Sequence, residues 1–116
     1  MSISGKAKLL RIFVGESDKL GHKSVYEAIV IAARKVELAG ATVYRGVMGF
    51  GKNSKIHSSK ILRLSDDLPL VIEIVDEEAK IDSFIPTIKN IFEEAESGGL
   101  ITVEHAEIIH YTSKKN

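Results

Sequence analysis

Gly40-Ala-Thr-Val-Tyr-Arg-Gly-Val-Met-Gly-Phe-Gly51 is the stretch on which the reading of this 116-residue chain turns. Val43, Val47 and Phe50 favour an extended, half-buried backbone, and Gly49 and Gly51 allow a turn where a Cβ would clash. A polar segment, Lys52 to Asp67, then intervenes before the next strand-like run, Leu68 to Asp76. Connections longer than about 12–15 residues are uncommon in compact domains and are usually functional or disordered. This one holds Lys52, Lys55, His57, Lys60 and Arg63 against Asp66 and Asp67. A basic arm rooted in a glycine turn points to capture of an anion, phosphate first. The same spacing also suits an ordinary solvated hairpin loop.

The length suits one domain, residues 1–116, with a real core. Sixteen basic and sixteen acidic residues give a formal net charge of zero, so no whole-chain field draws the protein to nucleic acid or to a membrane surface. There is no cysteine, which removes disulfides, thiolate metal sites and cysteine nucleophiles. The first residues lack the apolar core of a signal peptide, and no run approaches the ~18 apolar residues of a membrane span. A cytoplasmic protein is expected.

Outward from the central stretch, Ala7 to Val14 reads as a strand closed by Gly15. Ser24 is a plausible cap for a helix with Val25, Ala28, Ile29, Ala32, Ala33 and Val36 on one stripe, stopped at Gly40. Val30, Ile31 and Leu38 fall off that stripe. Strands are expected over 41–49 and 70–75. Asp76 would cap a second helix carrying Ile81, Phe84, Ile85, Ile88, Phe92 and Ala95, with Pro86 on the opposite face and Gly98-Gly99 as its end. A last strand, interrupted near Glu104-His105, would carry Ile108, Ile109 and Tyr111. The order βαββαβ, with two strands joined by no helix, predicts an α+β, ferredoxin-like fold. Its four-stranded antiparallel sheet has both helices on one face.

Catalytic patterns are missing. No two histidines among His22, His57, His105 and His110 share a helix at ligand spacing, and no metal site is assigned. Asp66-Asp67, Glu77-Glu78 and Glu93-Glu94 read as solvated faces or helix-end charges. Walker-type and dinucleotide fingerprints are absent, so any phosphate site at Gly49 to Gly51 would be a backbone nest. The chain is not expected to be an enzyme or to require a cofactor.

Gly40, Thr42, Val43, Gly49, Phe50 and Gly51 match a pattern of the nitrogen-regulatory PII signalling proteins, and Leu68-Pro69 with Ile72-Glu-Ile-Val75 matches the strand that returns after their T-loop. With Gly15-Glu-Ser-Asp18 and Leu64-Ser-x-Asp-Leu-Pro69, the chain more closely resembles a PII-like branch of that superfamily. The resemblance implies a homotrimer with adenine nucleotide (ATP, ADP or AMP) in clefts between subunits. It also implies a mobile T-loop-like arm at about 52–67 that regulates a partner protein, with membrane transporters and channels among the candidate classes. Carried over by position, the nucleotide-binding set is Gly49, Phe50, Gly51 and Lys52 at the loop base, Lys55 and Lys60 in the arm, and Gly98 and Gly99 at the B-loop. The chain departs from the pattern in four ways. It has one extra residue before Gly49, which suggests a bulge at Gly46; its B-loop is truncated to Gly98-Gly99-Leu100; its arm lacks tyrosine; and the pattern's late basic pair is replaced around His110. Two other readings use the same residues: a nucleotide-independent trimeric interaction module with an acidic partner, and a trimeric metal-responsive protein using His57 or His110.

Overall fold

The computed structural model describes residues 5–49, 57–58 and 68–112, with residues 57–58 described by backbone alone. Four principal strands and two helices follow the expected order: β1 (Gly5–Gly15), α1 (Val25–Lys35), β2 (Thr42–Arg45), β3 (Pro69–Glu77), α2 (Glu78–Ala95) and β4 (Leu100–Ile108). The strands lie in the order β2-β3-β1-β4, every neighbour antiparallel. This is the ferredoxin-like α+β fold expected from the sequence.

Alternation builds the core. Leu10, Ile12 and Val14 of β1 are buried together with Leu70, Ile72 and Ile74 of β3. They pack with Val25, Ile29 and Ala33 of α1 and Ile81, Phe84 and Ile88 of α2 in one cluster. Each fully buried Leu, Ile or Phe contributes about 1.5–3 kcal/mol relative to exposure. Among the described residues, the opposite sheet face carries no helix. By register it joins Tyr44, Val71, Phe13 and Leu100 in one row and Thr42, Glu73, Arg11 and Thr102 in the next. Tyr44 and Leu100 on this face are 45% and 54% exposed.

Several expected boundaries move. Strand β3 runs on through Asp76, whose fully buried side chain is no helix cap; Glu77 takes the N-cap position without a side-chain bond. Helix α1 stops before Gly40, because Glu37 adopts a left-handed φ of 61°. Ser24 is buried and makes no capping bond, Val36 is exposed, and Leu38 packs on the core. Glu96, with φ of 54°, ends α2 ahead of Gly98-Gly99. Strand β4 is continuous through Glu104-His105 and leaves Ile109 and Tyr111 beyond its end. Pro86 is exposed within α2 as expected, so the backbone bond it removes lies on the outer face.

The strand expected over 41–49 divides. β2 ends at Arg45, and Met48–Gly49 pairs separately with His57–Ser58. Between them the Gly46 N–H donates to the Pro69 carbonyl at 2.7 Å. A Cβ on Gly46 would lie 2.9 Å from Pro69 Cγ, and one on Gly49 would lie 3.1 Å from the same atom. The ring of Pro69 thus fits only where two glycines flank it. Gly46→Ala is expected to lower stability by about 1–3 kcal/mol in urea unfolding, as overpacking does. Part of that loss should return in the Gly46→Ala, Pro69→Ala double variant. Independent, additive losses would show that the proline ring is not what the glycine accommodates.

Candidate functional site

An open cleft of about 670 Å³ lies between the entrance to β2 and the segment that follows β4. Ala39 to Thr42 form one side, Glu107 to Tyr111 the other, and Glu73 and Val75 of β3 lie between them. These two β3 residues share the helix-free face because Ile72 and Ile74 alternate into the core. The cleft therefore combines aliphatic side chains (Val75, Ile108, Ile109) with a hydroxyl at Thr42, a carboxylate at Glu73 and the polar rings of His110 and Tyr111. Such a mixture suits a flat, partly apolar ligand bearing hydrogen-bonding edges.

Its wall is tied down at one residue, Ala39. The Ala39 N–H donates to Asp76 Oδ2 at 2.9 Å, and the Tyr111 hydroxyl donates to the Ala39 carbonyl at 2.8 Å. Asp76 Oδ1 accepts from the Glu77 N–H at 2.7 Å.

Glu73 is the electrostatic centre of the open face. Arg11 Nε donates to Glu73 Oε2 at 2.7 Å, and the other arm of the guanidinium reaches Glu104. The Tyr44 hydroxyl also donates to Glu73. Tyr44 first and Arg11 second hold the Glu73 carboxyl below its ordinary value of 4.5. The same bond to Glu73 pushes the Tyr44 phenol up, and the bonds to Glu73 and then Glu104 raise the Arg11 guanidinium. Glu73 is thus a fixed anion and an acceptor only.

The residues expected from the sequence are distributed differently. Gly49 sits against Pro69 at the far end of β3. Phe50, Gly51, Lys52, Lys55 and Lys60 lie outside the described residues. Gly98 has open space around its Cα, whereas a Cβ on Gly99 would lie 2.3 Å from Phe92 Cζ. Gly99 therefore admits the Phe92 ring, a packing role in its own right. Both glycines precede β4, whose first residues pair with Phe13 and Ile12. Gly49 and Gly98-Gly99 consequently share one end of the sheet. Val75 stands six β3 positions beyond Pro69, about 20 Å at ~3.3 Å per residue. Within one chain, the glycines and the cleft are separate places.

Sequence reasoning passed over Arg11, Tyr44, Asp76 and Tyr111 as site residues. A signal existed at Glu73, a charge inside the otherwise apolar run 69–75, but its partners are set by sheet register alone. Among the described residues no cluster of three ligand-type side chains gathers to hold a metal. His105 pairs with Glu78 at 3.3 Å, and His110 lines the cleft. No described helix is long and apolar enough to cross a membrane.

The family model DUF190, described as "Uncharacterized ACR", matches residues 7–108. A UPF0166 protein of Aquifex aeolicus (strain VF5) is 41% identical over 105 residues, covering 90% of this chain and 95% of the relative. UPF0166 protein MJ1524 of Methanocaldococcus jannaschii is 34% identical over 103 residues, with 89% and 92% covered. Among solved structures, CPII, a nitrogen regulatory PII-like protein from Thiomonas intermedia K12 bound to ADP, AMP and bicarbonate, superposes with a TM-score of 0.68. That alignment has 16% identity and covers 93% of this chain and 91% of that one. The likeness establishes a PII-like fold.

The depressed Glu73 acidity has a stability consequence. A carboxyl more acidic in the folded state adds stability above its unfolded pKa and loses it as pH falls through the folded one. Stability should therefore decline as pH falls below the ordinary carboxyl value of 4.5, and Glu73→Gln should flatten that acid limb in pH-resolved urea titrations. Identical acid limbs in the two proteins would contradict the assignment.

Proposed function

This chain belongs to the DUF190 family, and we propose that it is a PII-like signalling regulator. On this reading it is a homotrimer that binds an adenine nucleotide between subunits and reports occupancy through the arm at about 52–67. The observation that carries the reading is the division of the site. The cleft at Thr42, Glu73 and Val75 has the chemistry to receive a purine, because aliphatic side chains can flank the ring and acceptor oxygens can meet its amino group. Of the expected phosphate-binding set, Gly49, Gly98 and Gly99 stand at the other end of the sheet, so a ligand spanning both would require two copies of the chain. The helix-free face, with exposed Tyr44, Val75 and Leu100, gives a second copy apolar area to cover.

In the proposed site, the backbone amides of Gly49, Phe50 and Gly51 and the side chains of Lys52, Lys55 and Lys60 would hold phosphates across the subunit boundary. Gly98 and Gly99 would add backbone amides from the same end of the sheet. The solved CPII structure, bound to ADP and AMP on the same fold, supports an adenine nucleotide as effector. A cytoplasmic location and a regulated partner, a membrane transporter or channel among the candidate classes, belong to the same proposal. So does a signalling rather than enzymatic role.

Titration calorimetry and thermal melting with ATP, ADP and AMP test the reading. A ligand at a hundred times its dissociation constant should stabilise the fold by about 2.7 kcal/mol. No heat and no shift at millimolar nucleotide would end the adenine-nucleotide proposal. Ultracentrifugation at micromolar concentration should give a species of three 12.7-kDa chains, and a monomer would refute the assembly. For the arm, hydrogen exchange over residues 52–67 should slow when nucleotide binds. Equal protection with and without ligand would remove the switch.

A further inference from the structure

Asp76 poses a problem that the proposed ligand site does not answer. Its side chain is 0% exposed at the end of β3, where burying a carboxylate is costly unless its oxygens are satisfied. The bonds that satisfy it come from backbone: Glu77 N–H to Oδ1 and Ala39 N–H to Oδ2. The Glu77 bond is local, but the Ala39 bond spans 37 positions and fixes the chain just after the left-handed turn at Glu37. From the other side the Tyr111 hydroxyl takes the Ala39 carbonyl across 72 positions. One residue, Ala39, is thus gripped at both its N–H and its C=O, by a buried anion and by a residue beyond the end of the last strand.

Ala39 begins the Ala39–Thr42 side of the cleft, and Tyr111 belongs to the opposite side. The Tyr111–Ala39 bond is therefore a tie between two walls. Its surroundings point the same way: Ile109, two residues before Tyr111, is 82% exposed, so that side chain does not hold the segment in place. We infer that Asp76 and Tyr111 are positioning residues of the cleft, with Asp76 as the fixed post and the Tyr111 hydroxyl as the latch that closes the segment after β4 against the Ala39 wall. The width of the cleft and the position of residues 108–111 are then one equilibrium. A ligand that binds the closed cleft holds the segment down, and loosening the latch lets that ligand go. The ligand half of this inference rests on the adenine-nucleotide reading; the wall and latch do not.

Tyr111→Phe in the full chain removes the latch hydroxyl and little else. Hydrogen exchange of the unliganded variant should be about tenfold faster across residues 38–42, the consequence of losing one hydrogen bond. Exchange in the core of α2, residues 81–88, should not change. A merely structural role would speed both regions together, and that result, or unchanged exchange at 38–42, overturns the inference. With ADP as the probe, binding should slow exchange over 108–112 in the unaltered protein. Tyr111→Phe should weaken ADP binding by about five- to tenfold, mainly through faster release. Binding of ADP with equal affinity by both proteins would also overturn the latch. If the unaltered protein gives no heat with ADP, ATP or AMP, the nucleotide reading fails, and the exchange comparison alone decides the latch.

Discussion

Strand β1 is hydrogen-bonded on both sides and committed on both faces, and the rest of the fold is arranged around that constraint. Between β3 and β4 it sends Leu10, Ile12 and Val14 into the helices and Leu9, Arg11 and Phe13 to the open face. Because the side-chain period in a strand is two, a slip of one residue would exchange these sets. Arg11 would then enter the core and Leu10, Ile12 and Val14 would leave it. The cost of burying an unpaired guanidinium far exceeds what a surface ion pair returns, so register is decided by the core. The Arg11 bonds to Glu73 and Glu104 follow from that register. They set the charge state of the open face more than its stability.

The two ends of the sheet have different construction. At one end, backbone meets backbone closely around Pro69, with Gly46 and Gly49 leaving room for its ring and Gly15 paired across from it. Glu16 N–H donates to the Leu68 carbonyl at 2.9 Å and its carboxylate meets Arg45, so the roots of the arm are held by several short-range ties. At the other end the walls stand apart, joined through side chains that reach over long sequence separations. A tight end suits an anchor. An open end held by single hydrogen bonds suits a place where something binds and leaves.

The fold class was legible because alternation in β1 and β3 and the 3.6-residue stripe of α2 are local signals that the tertiary structure leaves intact. The boundaries were less so. Asp76 has the chemistry of a cap but is spent on Ala39, which no local rule announces. Gly40 looked like the stop of α1, yet Glu37 takes the left-handed turn, at a conformational cost that packing of the neighbouring Leu38 on the core helps to offset. Gly99 read as a phosphate loop and is required at least by the ring of Phe92, seven residues before it. In each case the deciding partner lies across the fold or across a turn whose geometry the sequence does not encode on its own. The cleft suffered most from this. Thr42 stood inside the motif, but Glu73, Asp76 and Tyr111 come together only through strand pairing and the path of the chain after β4.

The separation of cleft and glycine turn also constrains how such a protein could signal. On the proposed reading, a purine is held at one end of one subunit's sheet and its phosphates at the opposite end of a neighbour's. A ligand bridging them has differential affinity for the assembled state, which is the condition for shifting any equilibrium at all. The arm leaves the fold at the phosphate end, so its roots would feel the number of phosphates, while the base would be read some 20 Å of strand away. Nucleotides that share adenine but differ in phosphate count would then bind the same cleft and differ in what they do to the arm. Coupling of only about 1–3 kcal/mol between the two ends is enough for that distinction to be useful. The Pro69 seam supplies the rigid footing it needs, since an arm whose root gave way could not transmit a difference in its first residues to its tip.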